Sequence, residues 1–599
     1  MLSELLAHDA AARELTRFLQ RHEQFQLLAL SRESVHSVLR RHFFAQMGWK
    51  LPPVRWLARQ VLRRFTMRSV VTYIVISDAS WQQHLLVTFP ALVHVKVMQH
   101  SDATAVDLVP RLLPPTLKHL DLSEFGSADM AAIVGLTQLE NLELPLDDPV
   151  LNIQMLTQLP SLRTLALGSD DGGAGNDLSV VEGIPNLTEL DFRYKKIDMS
   201  PLTTPRNLRR LVITGCVVRD IKPLLAVAAT LTELDASDVR VKRARVSPDD
   251  ITAFIALLTS TTKLNLFDSK LVPRSLAPFT ELVKLRELHL SNSSAFDDFS
   301  ALAALTELES LRIHGTLDAD WSPIGNLVNL KRLNQEAACV NSSSEMARVL
   351  EKLPKLEELI YPVAISHKCK LPQVRLLAIR AGLREDVVPD LNADCLPKLR
   401  SLRLVGCVDV SRIDFSKFAA LRILNMAQLV ASRTAMAAAD CRSIAHLTQL
   451  EELSISVQVQ DYSFLTELVN LEELQLMSQS IDDLSVLSRM ERLRHLNLYD
   501  TPVDDISPLA DLHSLCELTL DRTKVTDVLS LCELPLLSSV VLPDQADCAP
   551  LVKACGTTLP NLKSVQHHYL DCLWRDECSG RGIHCCDAGT SDPPVQYHM

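Results

Sequence analysis

Apolar residues recur along this chain in a fixed triplet. Leu493, Leu496 and Leu498 are spaced by three and then two positions, and the spacing returns at Leu515, Leu518 and Leu520 and at Leu537, Val540 and Leu542, 22 residues apart each time. Apolar residues two apart point to one side of an extended strand, so each triplet predicts a short strand with an apolar side inward and its neighbours outward. Ten residues past each lead leucine comes Val503 and then Val525, followed by Asp505 and Asp527 and by Leu509 and Leu531. Ser507-Pro508 predicts a helical start after the strand, with serine as cap and proline at the first helical position. Ser200-Pro201 and Ser322-Pro323 repeat that device.

The lead position can be followed through Val71, Leu92, Leu117, Leu139, Leu162, Leu187, Leu208, Leu231, Leu285, Leu308, Leu330, Leu356, Val374, Leu399, Leu421, Leu450 and Leu471 into the clear copies, and on to Leu562. A poor copy begins at Thr261. Self-similarity at a period of about 20–29 residues is the signature of a leucine-rich repeat, and the chain holds about 22 such units. The spacing and the Val503-x-Asp505-Ile506-Ser507-Pro508-Leu509 phrase resemble internalin-like repeats and those of the regulatory subunit of type-1 protein phosphatase. The resemblance implies an α/β fold: a leucine-rich repeat solenoid, a curved horseshoe with a concave parallel β-sheet and short helices and 3-10 turns outside. Residues 70–567 form it, a helical segment 1–69 precedes it, and 568–599 make a C-terminal cap and disordered tail.

Residues 1–65 break the repeat. Leu15, Phe18 and Leu19, then Leu27, Leu28 and Leu30, then Val38, Leu39 and Phe43 recur at helical spacing. A further helix follows Pro52-Pro53, with Val54, Leu57, Val61, Leu62 and Phe65 on one face. One reading is a cap that covers the open end of the solenoid. The other is an F-box-like module, which the stretch from Glu14 to Phe43 resembles in its leucine-rich first helix, Leu-Leu-x-Leu-Ser centre and basic third helix. That resemblance implies a ubiquitin-ligase adaptor at the N-terminus. Longer outer helices are predicted after Ser247-Pro248-Asp249-Asp250, over 341–353 and over 433–447.

Composition adds limits. Net charge is −12, yet residues 1–68 hold twelve Lys/Arg against five Asp/Glu, so the acidic excess lies in the repeats. No basic-then-apolar leader and no long apolar window occur, which argues for a cytoplasmic protein, with the nucleus as the other open compartment, and for no membrane partner. Fourteen cysteines then read as small buried hydrophobes. Cys572, Cys578, His584, Cys585 and Cys586 lack the spacing of a closed zinc site, so no metal is assigned. The basic loop Arg240, Lys242, Arg243 and Arg245 reads as solvated, which gives no case for nucleic acid.

Nucleotide-binding, metalloprotease, hydrolase-elbow and kinase signatures are missing, and 17 glycines leave little for phosphate-cradling loops. The chain therefore reads as a monomeric, cofactor-free, non-enzymatic scaffold that binds a protein on its concave face. The alternative is an F-box-like substrate receptor of a ubiquitin ligase. Residues flanking the inward leucines are the candidate partner-binding set. Glu189, Asp191, Glu233, Asp235 and Glu287 are acidic; Arg312, Arg332, Arg380 and Arg403 are basic; Glu452, Glu473, Tyr499, Glu517 and Asp521 follow. Strand-flanking charges can also serve solubility alone; as a footprint, their alternation fits a partner of complementary charge.

Overall fold

The structure is a computed structural model of the chain. It describes residues 73–76, 93–98, 113–124, 130–145, 153–168, 178–184, 186–192, 200–203, 207–241, 246–290, 296–335, 343–361, 368–380, 391–405, 413–426, 438–456, 459, 461–477, 479–554, 558–562, 564–566 and 584–586. The cap or F-box-like segment expected over 1–69 lies outside these residues. So do Lys242, Arg243, Arg245, Cys572 and Cys578. The chain divides into two compact units, Met1–Leu308 and Glu309–Met599.

In the first unit, strands Tyr73–Ile76, His94–Met98, His119–Glu124, Asn141–Pro145, Thr164–Gly168, Glu189–Phe192, Arg210–Val212, Glu233–Asp235, Lys263–Asn265 and Glu287–His289 pair in parallel, each with the next. Equivalent leucines stack in register: Leu142 on Leu165, Leu190, Leu211, Leu234, Leu264 and Leu288. All are buried. Each such side chain contributes about 1.5–3 kcal/mol by leaving water, and a one-residue slip would turn it outward. That double condition fixes which residues face solvent.

The second unit repeats the arrangement. Its strands are Ser310–Ile313, Arg332–Gln335, Glu358–Tyr361, Leu376–Arg380, Ser401–Val405, Ile423–Met426, Glu452–Ile455, Glu473–Gln475, His495–Asn497, Glu517–Thr519, Ser539–Val541 and Ser564–Gln566. All pair in parallel with their sequence neighbours. His584–Cys586, which sequence reading leaves in the tail, forms a parallel strand on Ser564–Gln566.

The outer segments are mostly single 3-10 turns, such as Ser322–Asn326, Ser463–Glu467 and Ser507–Leu509. Their N-terminal device differs from the expected serine cap. Ser507 is the first turn residue, and the Asp505 carboxylate accepts its backbone N–H at 2.8 Å. Asp298, Asp320, Asp461, Asp483, Asp527 and Asp547 do the same for the residue two ahead. Serine hydroxyls turn back and donate to Asp320, Asp461 and Asp483. The longer helices expected from the pattern are present at Pro248–Leu257, Ser343–Leu350 and Ala438–Ala445. Ser247 does cap the first of these, in a reciprocal box with Asp250. Among the described residues no helix is long and apolar enough to cross a membrane.

Candidate functional site

The residues before and after the central leucine lie on the outward side of each strand and form two columns, some of whose members, such as Asp191, Val212 and Ser401, are buried there. In the first unit the first column runs Thr164, Glu189, Arg210, Glu233, Lys263, Glu287. Arg210 reaches Glu189 at 3.7 Å and Glu233 at 3.3 Å, and Lys263 reaches Glu233 at 3.7 Å. Glu189 and Glu233 from the expected acidic set are thus interleaved with two bases that sequence reading omitted. These half-exposed pairs contribute little energy individually. They leave this column with one acid in excess, and Asp191 and Asp235 of the second column add two more.

The second column of that unit is held by local bonds. Asp235 accepts from the backbone N–H and hydroxyl of Ser237 at 3.0 and 2.7 Å and from Asn265 Nδ2 at 3.1 Å. Asp191 occupies the equivalent place and is buried. Nearer the N-terminus, Asp121 repeats the Asp-x-Ser arrangement with Ser123 and pairs with Lys96 at 2.8 Å. Burial pushes the Asp121 carboxyl up, but hydrogen bonds from Lys96 and Ser123 outweigh it and hold the group below its usual value. His94 and His119 stack beside it with ring centroids 5.0 Å apart. Sequence reading singled out none of these five; only the register across repeats collects them.

The face of the second unit changes character along its length. Its first column runs Ser310, Arg332, Glu358, Leu376, Ser401, Ile423, Glu452, Glu473, His495, Glu517. Its second runs Arg312, Asn334, Ile360, Ala378, Arg403, Asn425, Ser454, Gln475, Asn497, Thr519. Arg380 lies in register with Val405. Arg312, Arg332 and Arg403 therefore occupy the basic section expected of them, with apolar Ile360, Leu376, Ala378 and Ile423 among them. Ile360, Leu376 and Ile423 are half-buried on this side and Ala378 is buried, a placement the leucine pattern alone did not reveal.

Beyond Ile423 the face is acidic. Glu452 and Glu473 sit in register, and neither is within 4.0 Å of a described cation. Burial and then the neighbouring Glu473 push the Glu452 carboxyl above its ordinary value, and Arg403 offsets only part of this. Glu473 accepts from Gln475 Nε2 at 2.6 Å. Glu517 pairs with His495 Nδ1 at 3.2 Å. The Tyr499 ring carries the Arg522 guanidinium 5.3 Å from its centroid, and Asp521 follows one residue before that arginine. Among the described residues no group of three or more His, Cys, Asp or Glu is placed to hold a metal ion.

These parallel ladders, with leucine inside and 3-10 turns outside, define leucine-rich repeat solenoids. Comparison with solved structures bears this out. The chain is similar to the TLR13–ssRNA13 complex, with a TM-score of 0.51 at 16% identity over 83% of this chain and 80% of that one. An internalin from Listeria monocytogenes matches at 20% identity over 64% of this chain and 87% of its own, with a TM-score of 0.32. A leucine-rich repeat protein of Leptospira interrogans matches at 16% identity over 76% and 91%, with a TM-score of 0.29. No protein-family model and no curated protein sequence matches the chain.

Proposed function

We propose that the chain is a non-enzymatic scaffold that binds a protein partner on the solvent-facing side of its repeat sheet. The carrying observation is the second unit's face. There the exposed columns pass from Arg312 and Arg332 through aliphatic residues to Glu452 and Glu473 without leaving register. A surface needed only for solubility has no reason to set half-buried Leu376 and Ile423 in the outward column between charged strands.

The test is affinity capture from a lysate with mass spectrometry. The triple variant Arg312→Glu, Arg332→Glu, Arg403→Glu should fold, because surface charges typically change stability by less than about 0.5 kcal/mol each. It should lose partners that the control Arg348→Glu, on the outer helix Ser343–Leu350, retains. Retention of every partner by a folded triple variant refutes the sheet face as the working surface. A chain lacking residues 1–50, run alongside, supports the ubiquitin-ligase receptor reading only if an adaptor and a cullin disappear with that deletion.

A further inference from the structure

The second unit's face has a polarity that runs across the strands, and this constrains what could lie on it. Register alone places Arg332 six strands from Glu473. At ~4.8 Å per strand that is about 29 Å, the reach of roughly nine extended residues. The aliphatic patch between them is two side chains wide, the width of one extended chain. Charge along this line is unbalanced at its acidic end: Glu452 and Glu473 stand side by side without a described cation, and Glu452 responds with a raised pKa. Glu358, in register with Arg332, offsets part of the basic end.

The middle of the line also carries two orphaned polar groups. Ser401 stands in the outward column between Leu376 and Ile423, with Leu402 turned into the core. It is only 6% exposed, yet its hydroxyl has no hydrogen-bond partner among the described residues. Asn334 Oδ1, in the second column between Arg312 and Ile360, is buried and unpartnered in the same way. Buried polar groups are almost always satisfied, and these two stand three strands apart, about 14 Å, so each calls for a polar partner of its own.

We propose that this face takes an extended protein segment of roughly nine residues laid across the strands. Its acidic end lies over Arg312 and Arg332, its apolar centre over Leu376 and Ile423, and its basic end over Glu452 and Glu473. The proposal rests on the sheet-face reading above and specifies its partner. Opposite charges at the two ends set the direction of the segment, and the aliphatic centre supplies the area removed from water.

The experiment is fluorescence anisotropy of the full chain with three labelled nine-residue peptides. All share a Ser-Leu-Val-Leu-Ser centre and differ only at the ends: Asp-Glu with Lys-Arg, Asp-Glu at both ends, and Lys-Arg at both ends. The mixed-end peptide should bind roughly tenfold tighter than either same-charge peptide. Charge reversal should re-order the preference. Arg312→Glu with Arg332→Glu should select the peptide basic at both ends. Glu452→Lys with Glu473→Lys should select the peptide acidic at both ends. Misfolding cannot produce opposite re-orderings, and Ile423→Asp should weaken all three peptides. A ranking that stays the same across variants, or a mixed-end peptide no tighter than the others, overturns the proposal. Lysate capture judges the sheet-face reading separately, so loss of natural partners without the peptide ranking would retain the face and reject this partner chemistry.

Discussion

Gln335 offers a sharp test of the interior packing. It lies in the second unit's inward column, in register with Ile313, and is 2% exposed. Neither its amide nitrogen nor its amide oxygen has a hydrogen-bond partner among the described residues. One strand on, Tyr361 is 1% exposed and its hydroxyl is likewise unpartnered. Burial, and then Cys369, push the Tyr361 hydroxyl well above its ordinary pKa. Burying an amide or hydroxyl without compensation costs about 1–3 kcal/mol in protein mutational data. Gln335→Met keeps the length of the side chain, removes both unpaired atoms and matches the aliphatic residues elsewhere in the column. It should therefore stabilise the surrounding repeats by about 1–3 kcal/mol. Repeat arrays open locally, so hydrogen exchange by mass spectrometry on peptides covering 332–335 and 358–361 is the right assay. Protection should rise by roughly tenfold. Tyr361→Phe should act in the same direction. The reasoning fails if Gln335→Met lowers protection. It also fails if the pair shows strong favourable coupling, because the two polar groups would then be satisfying each other, directly or through a bridging water.

The other expectations concern register and pH. Leu496→Asp places a carboxylate between Leu474 and Leu518, where the cost of burial is several kcal/mol, so local exchange protection should collapse; unchanged protection and circular dichroism would refute the register. The Asp483 and Asp505 carboxyls are held below their ordinary pKa by backbone N–H bonds from Ser485 and Ser507. Their contribution is therefore present above the unfolded-state pKa and is lost as pH falls through the folded value. Asp483→Asn with Asp505→Asn should keep the turns at neutral pH and flatten the acid limb of the urea midpoint, and an unaltered acid limb would count against the device. Glu452 has the opposite sign: its raised pKa means that the fold favours the protonated form, so stability falls as pH rises through the interval above the unfolded-state value. Glu452→Gln should remove that slope and raise the neutral-pH midpoint; a lowered midpoint would show that Glu452 is stabilised by a partner group.

The buried leucines were the legible part of the sequence because burial and periodicity reinforce each other. Leu474, Leu496 and Leu518 occupy one row for the same reason that they repeat every 22 residues: each packs on its own equivalent. The aspartates show where the pattern stops short. Asp505 and Asp527 recur visibly, but recurrence of a polar residue fits solvation as well as hydrogen bonding. Only geometry shows that each accepts the N–H two residues ahead. Asp rather than the expected Ser holds this position because the serine, as Ser322 and Ser463 show, is already the first residue of a tight 3-10 turn, where its side chain points back to the preceding carboxylate.

The face was harder to read, and the reason bears on its function. Residue type identified Glu189 and Glu233 but not their partners Arg210 and Lys263, because Lys263 belongs to the degenerate copy whose lead position is Thr261. Leu376 was hidden by its own chemistry. In Val374-Arg375-Leu376-Leu377-Ala378-Ile379 the aliphatics are nearly continuous, and pairing with Leu359 and Leu402 assigns Leu377, not Leu376, to the core. The weak repeat led by Val374 thus breaks the inward-apolar, outward-polar alternation, as Ile360 and Ile423 do in the repeats around it. It does so where Ser401 is left unpaired and the face passes from arginine to glutamate. A repeat under selection only for folding would converge on the alternation shown by Leu493 to Leu498. Its breakdown at this point is what a binding surface requires, since outward aliphatic area gains free energy only when another molecule covers it.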